Sequence, residues 1–233
     1  MDRISCNTPI RRGEARRIRP TRRSVSGVYA FRGEQGIAFE STLERDFLMR
    51  IEPVFCVLDV APQPVRLPYR MSSGRASYYT PDFLVRYRLA DRAWSAGRRP
   101  LLVEVKPREV LRAQWRELRP KYRAAVRYAR DNDWEFRIFD ESRIRDATWE
   151  NVLFLRPYRG LSFPKAEVDA VLETLKFMGD APVQYLVGRH YPVDRDRMRG
   201  YSLIWSLLAK GEIECDLARP LAWDAEVWMP TDE

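Results

Sequence analysis

The chain has 233 residues, of which 45% are hydrophobic and 32% charged, and its formal net charge is +8. This length allows one well-buried core and a smaller second unit, and the apolar content predicts a folded chain rather than a disordered one. No run of about 18 apolar residues is present, which excludes a membrane-spanning helix. The positive charge favours a polyanionic partner, although an Arg-rich composition also follows from a GC-rich genome.

The cysteines and the histidine exclude several classes of site. Cys6, Cys56 and Cys215 are far apart and form no CxxC pair, so the sequence predicts neither a zinc site nor a disulfide framework. His190 is the only histidine, which excludes mechanisms that need two, and we expect an ordinary surface or interface residue there. The first residues include no apolar signal segment, and we expect a cytoplasmic protein.

The N-terminal part predicts an arm followed by a helix. Residues 1–27 contain paired arginines and two prolines, which indicates a basic flexible arm that either follows a DNA backbone or is simply a solvated terminus. From residue 36 onward, Phe39, Leu43 and Phe47 recur every four residues and predict an amphipathic helix ending at Pro53. Glu40 and Glu44 lie four residues apart along one edge of its buried face, and periodicity does not choose between them.

The next segments predict strands and one long helix. Residues 54–70 are rich in strand formers but interrupted by prolines, which predicts a bent strand near a sheet edge. A strand over 78–89, a polar loop over 91–99 and a strand over 101–106 follow. Residues 109–133 predict a helix that Pro120 kinks, then residues 134–140 alternate as a strand and residues 148–160 close the unit.

The long helix has two predicted faces. Its buried face comprises Leu111, Trp115, Leu118, Tyr122, Ala125, Val126 and Ala129. Its basic face comprises Arg112, Arg116, Arg119, Lys121, Arg123 and Arg127, which either contact DNA phosphates or form an ordinary solvated surface.

After residue 157 the pattern changes to short helices followed by a small β-hairpin, which is typical of a winged-helix unit. We expect its large apolar residues to form a core, with a partner surface as the alternative for some of the tryptophans. These residues are Leu203, Trp205, Leu207, Leu208, Trp223 and Trp228.

Charged residues inside the apolar strands indicate a candidate catalytic site. Glu104 and Lys106 are two residues apart on a strand and therefore share a face, and Asp82 follows Pro81 at a strand end. Two carboxylates and a lysine that meet at a sheet edge suit a hard cation such as Mg²⁺ and the hydrolysis of a phosphodiester. The alternative is that Asp82 caps a turn while Glu104 and Lys106 face solvent.

The order helix, three strands, helix, strand, together with these residues, resembles the PD-(D/E)xK nuclease superfamily. Segments FESTLERDFL, YYTPDFLVRY and LLVEVKPRE look more closely like the TnsA family, the endonuclease subunit of heteromeric transposases. The resemblance implies an α/β fold with a restriction-endonuclease-like αβββαβ core and a mixed sheet, plus a small winged-helix-like C-terminal domain. The expected domains are an arm over 1–27, an endonuclease domain over 28–157 and the C-terminal domain over 158–233.

The resemblance also implies a site. Glu44, Asp82 and Lys106 take the catalytic positions and Glu104 the remaining ligand position. The metal ligands would be Asp82, Glu104, Glu44 and the Val105 backbone carbonyl, with Mg²⁺ as the ion and Mn²⁺ as a substitute. Only this resemblance favours Glu44 over Glu40.

The resemblance further implies a role and partners. The chain would cut double-stranded DNA at the 5′ ends of a mobile element, beside a DDE-type transposase subunit, with an AAA+ ATPase regulator bound through the C-terminal domain. Its location would be the bacterial cytoplasm, at the nucleoid when active, with no membrane partner. The alternatives are a restriction or repair nuclease of the same fold and a non-catalytic adaptor that bridges DNA and the regulator.

Overall fold

A computed structural model of the chain describes residues 25–33, 35–54, 56–88 and 99–230. The chain divides into two compact units, Met1–Glu141 and Ser142–Glu233. Most of the predicted arm and the predicted loop over 91–99 lie outside the described residues. Within the part of the chain that is described, no helix is long and apolar enough to cross a membrane.

The first unit is an α/β structure. Its elements are β1 (Gly27–Phe31), β2 (Gln35–Phe39), α1 (Thr42–Ile51), β3 (Val57–Pro62), β4 (Leu67–Arg70), β5 (Ala76–Tyr79), β6 (Phe83–Tyr87), β7 (Leu101–Val105), α2 (Arg108–Asp131) and β8 (Glu135–Phe139).

Helix α1 begins later than the sequence predicts. The prediction from residue 36 was wrong, because residues 35–39 form β2, which pairs antiparallel with β1. Ser41 has extended backbone and accepts a hydrogen bond from the backbone N–H of Glu44, so it is the N-cap. Phe39 therefore belongs to a hairpin that precedes the helix, and only Leu43 and Phe47 of the predicted stripe are helical.

A four-stranded mixed sheet in the order β3-β6-β7-β8 forms the centre of this unit. β6 is antiparallel to both of its neighbours, β3 and β7, whereas β7 and β8 are parallel. α2 is the crossover connection that a parallel pair needs. All five residues of β7 are buried, because both faces of this central strand are covered.

The two faces of the sheet have different cores. On one face, Phe47 of α1 stacks on Phe83 with ring centres 5.6 Å apart and packs against Phe139. On the other face, Leu84 and Leu102 join a cluster with residues of α2. Since alternate residues of a strand share a face, Glu104 lies on the α2 face together with Leu102.

The predicted strand over 78–89 is two strands. β5 ends at Tyr79 and pairs with β4 in a separate hairpin, whereas β6 begins at Phe83 and joins the central sheet. Pro81 lacks an N–H for a ladder, and the Asp82 N–H bonds the Val103 carbonyl at 2.9 Å instead. The break at residues 80–82 therefore turns the chain from the hairpin into the sheet, with Asp82 at the corner.

Helix α2 departs from helical geometry at Gln114 rather than at Pro120, where the kink was predicted. Pro120 has no N–H to bond the Arg116 carbonyl, and the Ser72 hydroxyl is 3.4 Å from that carbonyl. The buried face is partly as predicted: Tyr122, Ala125 and Ala129 are buried, but Trp115 and Val126 are exposed.

The second unit is built mainly of helices. Its elements continue from α3 (Glu141–Ile144), which begins at the boundary, with α4 (Ala147–Leu155), a 3-10 helix (Arg156–Gly160), α5 (Lys165–Met178), β9 (Asp180–Pro182), α6 (Val183–His190), α7 (Asp194–Lys210), β10 (Glu214–Cys215) and β11 (Glu226–Trp228). The three short strands form an antiparallel sheet in the order β10-β11-β9.

The boundary between the units lies earlier than residue 157. α4, which the sequence analysis assigns to the nuclease domain, is held in the second unit by Asn151. The Asn151 amide donates to the carbonyls of Leu217 and Arg219, at 3.0 and 2.6 Å, and its oxygen accepts from the N–H of Leu221 at 3.0 Å. Leu155 joins the core of the same unit.

Of the six large apolar residues expected in the core of the second unit, three are buried. Leu203, Trp205 and Leu207 are buried, whereas Trp223 is exposed and packs edge-on against Tyr201 with ring centres 5.0 Å apart. His190 is half-buried, with its Nε2 3.0 Å from the Thr174 hydroxyl, and burial lowers the pKa of its imidazole. His190 therefore has a local structural contact in α5.

A glycine inside α7 makes close packing possible. A Cβ at Gly200 would lie 2.5 Å from the Tyr191 ring. Replacing a helix glycine with alanine normally stabilises by about 1 kcal/mol. We expect Gly200→Ala to lower the free energy of unfolding by roughly 1–3 kcal/mol instead, because the ring must move. Urea unfolding followed by circular dichroism measures the effect.

Gly188 in α6 is the matched control, because apart from its chain neighbours and own helix backbone nothing lies within 4 Å of a Cβ there. Gly188→Ala should leave stability unchanged or raise it by up to about 1 kcal/mol. Equal effects of the two substitutions would contradict the packing argument.

Candidate active site

Glu104 is the most buried charged residue of the site. It lies on β7 with 2% of its surface exposed. Its Oε2 accepts a hydrogen bond from the Tyr79 hydroxyl at 2.7 Å, and its Oε1 accepts from Lys121 Nζ at 3.0 Å and from the Tyr122 hydroxyl at 3.2 Å. Hydrogen bonds and a cation thus offset the loss of hydration of this carboxylate. The alternative in which Glu104 faces solvent is wrong.

Asp82 lies at the corner between β5 and β6, beside the end of β7. Its Oδ2 accepts a hydrogen bond from the backbone N–H of Val105 at 2.6 Å. Its own N–H bonds Val103 and its carbonyl accepts from Gln63, so the backbone on both sides is held in place. The carboxylate is therefore tied across the sheet to the residue between Glu104 and Lys106.

Lys106 follows the last residue of β7. Its backbone N–H donates to the Phe139 carbonyl at 2.9 Å, which extends the pairing with β8. Its Nζ lies 3.6 Å from Glu104 Oε1, and the side chain is 30% exposed. The prediction that Glu104 and Lys106 share a face agrees with this distance, and Lys106 keeps access to solvent.

Glu44 lies in the first turn of α1 and forms a capping box with Ser41. Its carboxylate accepts from the Glu40 N–H at 2.7 Å and from the Ser41 hydroxyl at 2.9 Å. The charge of Lys106 lowers the pKa of Glu44, and the charge of Glu44 raises the pKa of Asp82. Glu44 therefore interacts electrostatically with the other residues of the site. The SxxE signature of this capping box is visible in the sequence at 41–44.

The carboxylates repel one another. Burial raises the pKa of Asp82 well above its ordinary value, and the negative charges of Glu104 and Glu44 raise it further, whereas the Val105 N–H and Lys106 oppose the shift. Burial likewise raises the pKa of Glu44, while its hydrogen bonds lower it. Such mutual repulsion among oxygen donors is the condition that a divalent cation relieves.

The donor chemistry therefore fits Mg²⁺ or Mn²⁺, which prefer carboxylate and carbonyl oxygens. As arranged, however, no three His, Cys, Asp or Glu residues among those described are grouped to hold an ion. Each carboxylate has a hydrogen-bond partner within the protein: Glu44 bonds its cap, Asp82 bonds Val105, and Glu104 bonds Tyr79, Tyr122 and Lys121. Holding an ion would require these carboxylates to exchange some of those bonds.

Lys121, Tyr79 and Tyr122 are site residues that the sequence analysis missed. The basic face predicted for α2 includes Lys121, but its side chain is only 17% exposed and its ammonium contacts Glu104. The signal was present, because Lys121 is three residues after Leu118 and four before Ala125 and so belongs to the apolar face. The other members of the predicted basic face are exposed: Arg112, Arg116, Arg119, Arg123 and Arg127.

Comparison with known proteins identifies the segment that carries most of this site. Residues 56–141 match the family model described as TnsA-like endonuclease N terminal. The match contains Asp82, Glu104 and Lys106, excludes Glu44, and ends at the residue where the first compact unit ends. No curated protein matches the chain significantly. The resemblance to the TnsA family drawn from the sequence is thereby confirmed.

Repulsion at Asp82 should cost stability. Because the pKa of Asp82 is raised in the folded state, ionised Asp82 destabilises the fold at neutral pH. This destabilisation decreases as the pH falls through the folded-state pKa, and it is lost near the unfolded-state pKa of about 4. In EDTA we expect Asp82→Asn to raise the Tm by at least about 2 °C at pH 7.5, or roughly 1 kcal/mol at this size, with a smaller gain at lower pH.

Asp59 on β3 is the matched control, because it already has a partner in Arg86 at 2.7 Å. Asp59→Asn should lower the Tm slightly or leave it unchanged. Differential scanning calorimetry across pH measures both variants. A lower Tm for Asp82→Asn than for the wild-type chain at neutral pH would contradict the repulsion described here.

Proposed function

Since residues 56–141 are a TnsA-like endonuclease domain, we propose that the chain is a metal-dependent DNA endonuclease that cuts the 5′ ends of a mobile element within a heteromeric transposase. The observation that supports this most is the meeting of Asp82, Glu104 and Lys106 at the start of β6 and the end of β7, with the charge of Glu44 acting on Asp82. Carboxylates beside a lysine suit the hydrolysis of a phosphodiester.

Asp82, Glu104, Glu44 and the Val105 backbone carbonyl would hold the ion. Mg²⁺ or Mn²⁺, when bound, supplies Lewis-acid polarisation of the scissile phosphate and a more acidic water. The protein supplies placement: the Asp82–Val105 hydrogen bond fixes one ligand against the strand that carries another. Rigid support of this kind limits the reorganisation needed when charge develops.

Lys106 is the proposed cationic group of the reaction. Its ammonium is near Glu104 but partly exposed, so it reaches both the carboxylate and an incoming phosphate. There it would orient the attacking water and stabilise the negative charge that develops on the phosphate oxygens. Glu44, in the first turn of α1, would complete the set.

The partners follow from the family resemblance and from the surfaces of each unit. The exposed arginines of α2 provide cations for phosphate contacts with double-stranded DNA.

The second unit has the order α5-β9-α6-α7-β10-β11 and a three-stranded antiparallel sheet, which supports a winged-helix-like domain. Its exposed Phe177 (93%) and Trp223 suit contact with another protein, for which we propose the AAA+ ATPase regulator. A DDE-type transposase would cut the 3′ ends.

Lys106→Ala should reduce 5′-end cleavage by roughly 10²–10³-fold or more, because the developing charge loses its cation. The measurement uses DNA carrying element ends, the transposase partner and Mg²⁺, with products separated on a denaturing gel. Lys176→Ala in the second unit removes the same side-chain type and should cut normally. Undiminished cutting by Lys106→Ala would overturn the assignment.

The same assay separates the alternatives. Cutting of plain duplex DNA without a transposase would favour a restriction or repair nuclease. No cutting with Mg²⁺ or Mn²⁺ in any combination of partners would favour a non-catalytic adaptor.

Glu44 and Glu40 can be distinguished by matched substitutions. Glu44→Gln keeps a side chain that can serve the capping box but removes the charge near Asp82 and Lys106, so we expect cleavage to fall roughly tenfold or more. Glu40→Gln should change cleavage by less than about twofold, a minor effect by comparison. Initial cleavage rates and a Mg²⁺ titration measure both, and the reverse ranking would contradict the role of Glu44.

A further inference from the structure

Lys121 forms an ion pair on the inner side of α2. Its Nζ is 3.0 Å from Glu104 Oε1, and 17% of its side chain is exposed against 2% for that of Glu104. This makes it more enclosed than Lys106, whose Nζ is 3.6 Å from the same oxygen. The site therefore contains two lysines, of which the proposed reaction uses one.

Two tyrosines complete the surroundings of this lysine. Lys121 Nζ is 4.6 Å from the centre of the Tyr79 ring and 4.9 Å from that of Tyr122, within the range of cation–π attraction. Both hydroxyls also donate to the Glu104 carboxylate. The rings thus stabilise the cation while their hydroxyls stabilise the anion.

Oε1 of Glu104 has more neighbouring donors than Oε2. Lys121 and Tyr122 both donate to it and Lys106 lies near it, whereas Tyr79 donates to Oε2. A carboxylate has about four lone-pair directions. An ion held by Glu104 must share this carboxylate with the Lys121 ammonium, and like charges repel strongly where water is largely excluded.

We propose that Lys121 competes with the divalent cation for Glu104 and thereby weakens the affinity of the isolated chain for the ion. The inference rests on the metal site of the proposed function. Glu44, Asp82 and Glu104 supply three carboxylates to the group, and Lys106 and Lys121 supply two ammonium groups. Removing the Lys121 charge leaves the group more negative and the Glu104 carboxylate more available, so the ion binds more tightly.

Direct binding of Mn²⁺ to the full chain tests this without any cleavage reaction. The free-ion signal in electron paramagnetic resonance gives the Kd in the absence of DNA. Lys121→Met keeps an apolar stem against the tyrosine rings, and Lys121→Gln keeps a donor for Oε1. Both remove the charge, and we expect both to lower the Kd for Mn²⁺ at least about tenfold, or about 1.4 kcal/mol.

Arg123→Gln is the matched control, since it removes one positive charge from the exposed side of the same helix. It should change the Kd by less than about twofold, because exposed charges are screened. Weaker binding by Lys121→Met with unchanged binding by Lys121→Gln would show that Lys121 only orients Glu104, and it would overturn the proposal. Equal Kd values for the wild-type chain and its three variants would also overturn the competition proposal, while leaving the proposed metal site intact. Absence of Mn²⁺ binding in all of them would overturn both.

Thermal unfolding gives an independent readout. In EDTA the two Lys121 variants should have a lower Tm than wild type, because a buried carboxylate loses its partner. Mn²⁺ should raise their Tm by more than it raises that of the wild-type chain, since tighter binding to the folded state stabilises it more. A variant that is unfolded in EDTA should regain structure with Mn²⁺. A Mn²⁺-induced rise no larger than in wild type would contradict the competition.

Discussion

Glu104 carries its charge on a strand that is covered on both faces, and the first unit is arranged around the compensation of that charge. The hairpin β4–β5 contributes Tyr79, and α2 contributes Lys121 and Tyr122. Lys106 lies at the end of the same strand. Since removing one partner of a buried charge costs several kcal/mol, the positions of the hairpin and the helix are tied to this one carboxylate.

The same region includes repulsion that no packing requirement explains. Asp82 is placed near Glu104 and Glu44, whose negative charges and burial raise its pKa, so ionising Asp82 opposes folding. Backbone hydrogen bonds on both sides of Asp82 hold it there despite that cost. A group of mutually repelling oxygen donors beside two lysines lowers the stability of the fold, and perturbed groups of this kind cluster at functional sites.

Local patterns predicted much of the fold, and their failures have local causes. The strand at Leu101, the long helix α2 and the strand at Glu135 follow from apolar periodicity and from Pro107. Phe39 fitted a helical stripe but belongs to β2, because its partner strand begins twelve residues earlier at Gly27. Helix α4 belongs to the second compact unit, which no local pattern indicates, since the side chain that anchors it bonds residues more than sixty positions further on.

The sequence by itself determined the chemical types of the site and their strands. Spacing alone places Glu104 and Lys106 on one face. The PD motif marks Asp82, and the ExK motif marks Glu104 and Lys106. The family match over 56–141 contains all three residues. Only the tertiary structure decided which groups compensate Glu104. Tyr79, Lys121 and Tyr122 lie 25, 17 and 18 positions from it along the chain. The spacing of Lys121 from Leu118 and Ala125 puts it on the apolar face of α2, but spacing does not say which strand residue that face meets. Packing of α2 against the sheet brings that lysine to the carboxylate, because burying the apolar face of the helix buries Lys121 with it.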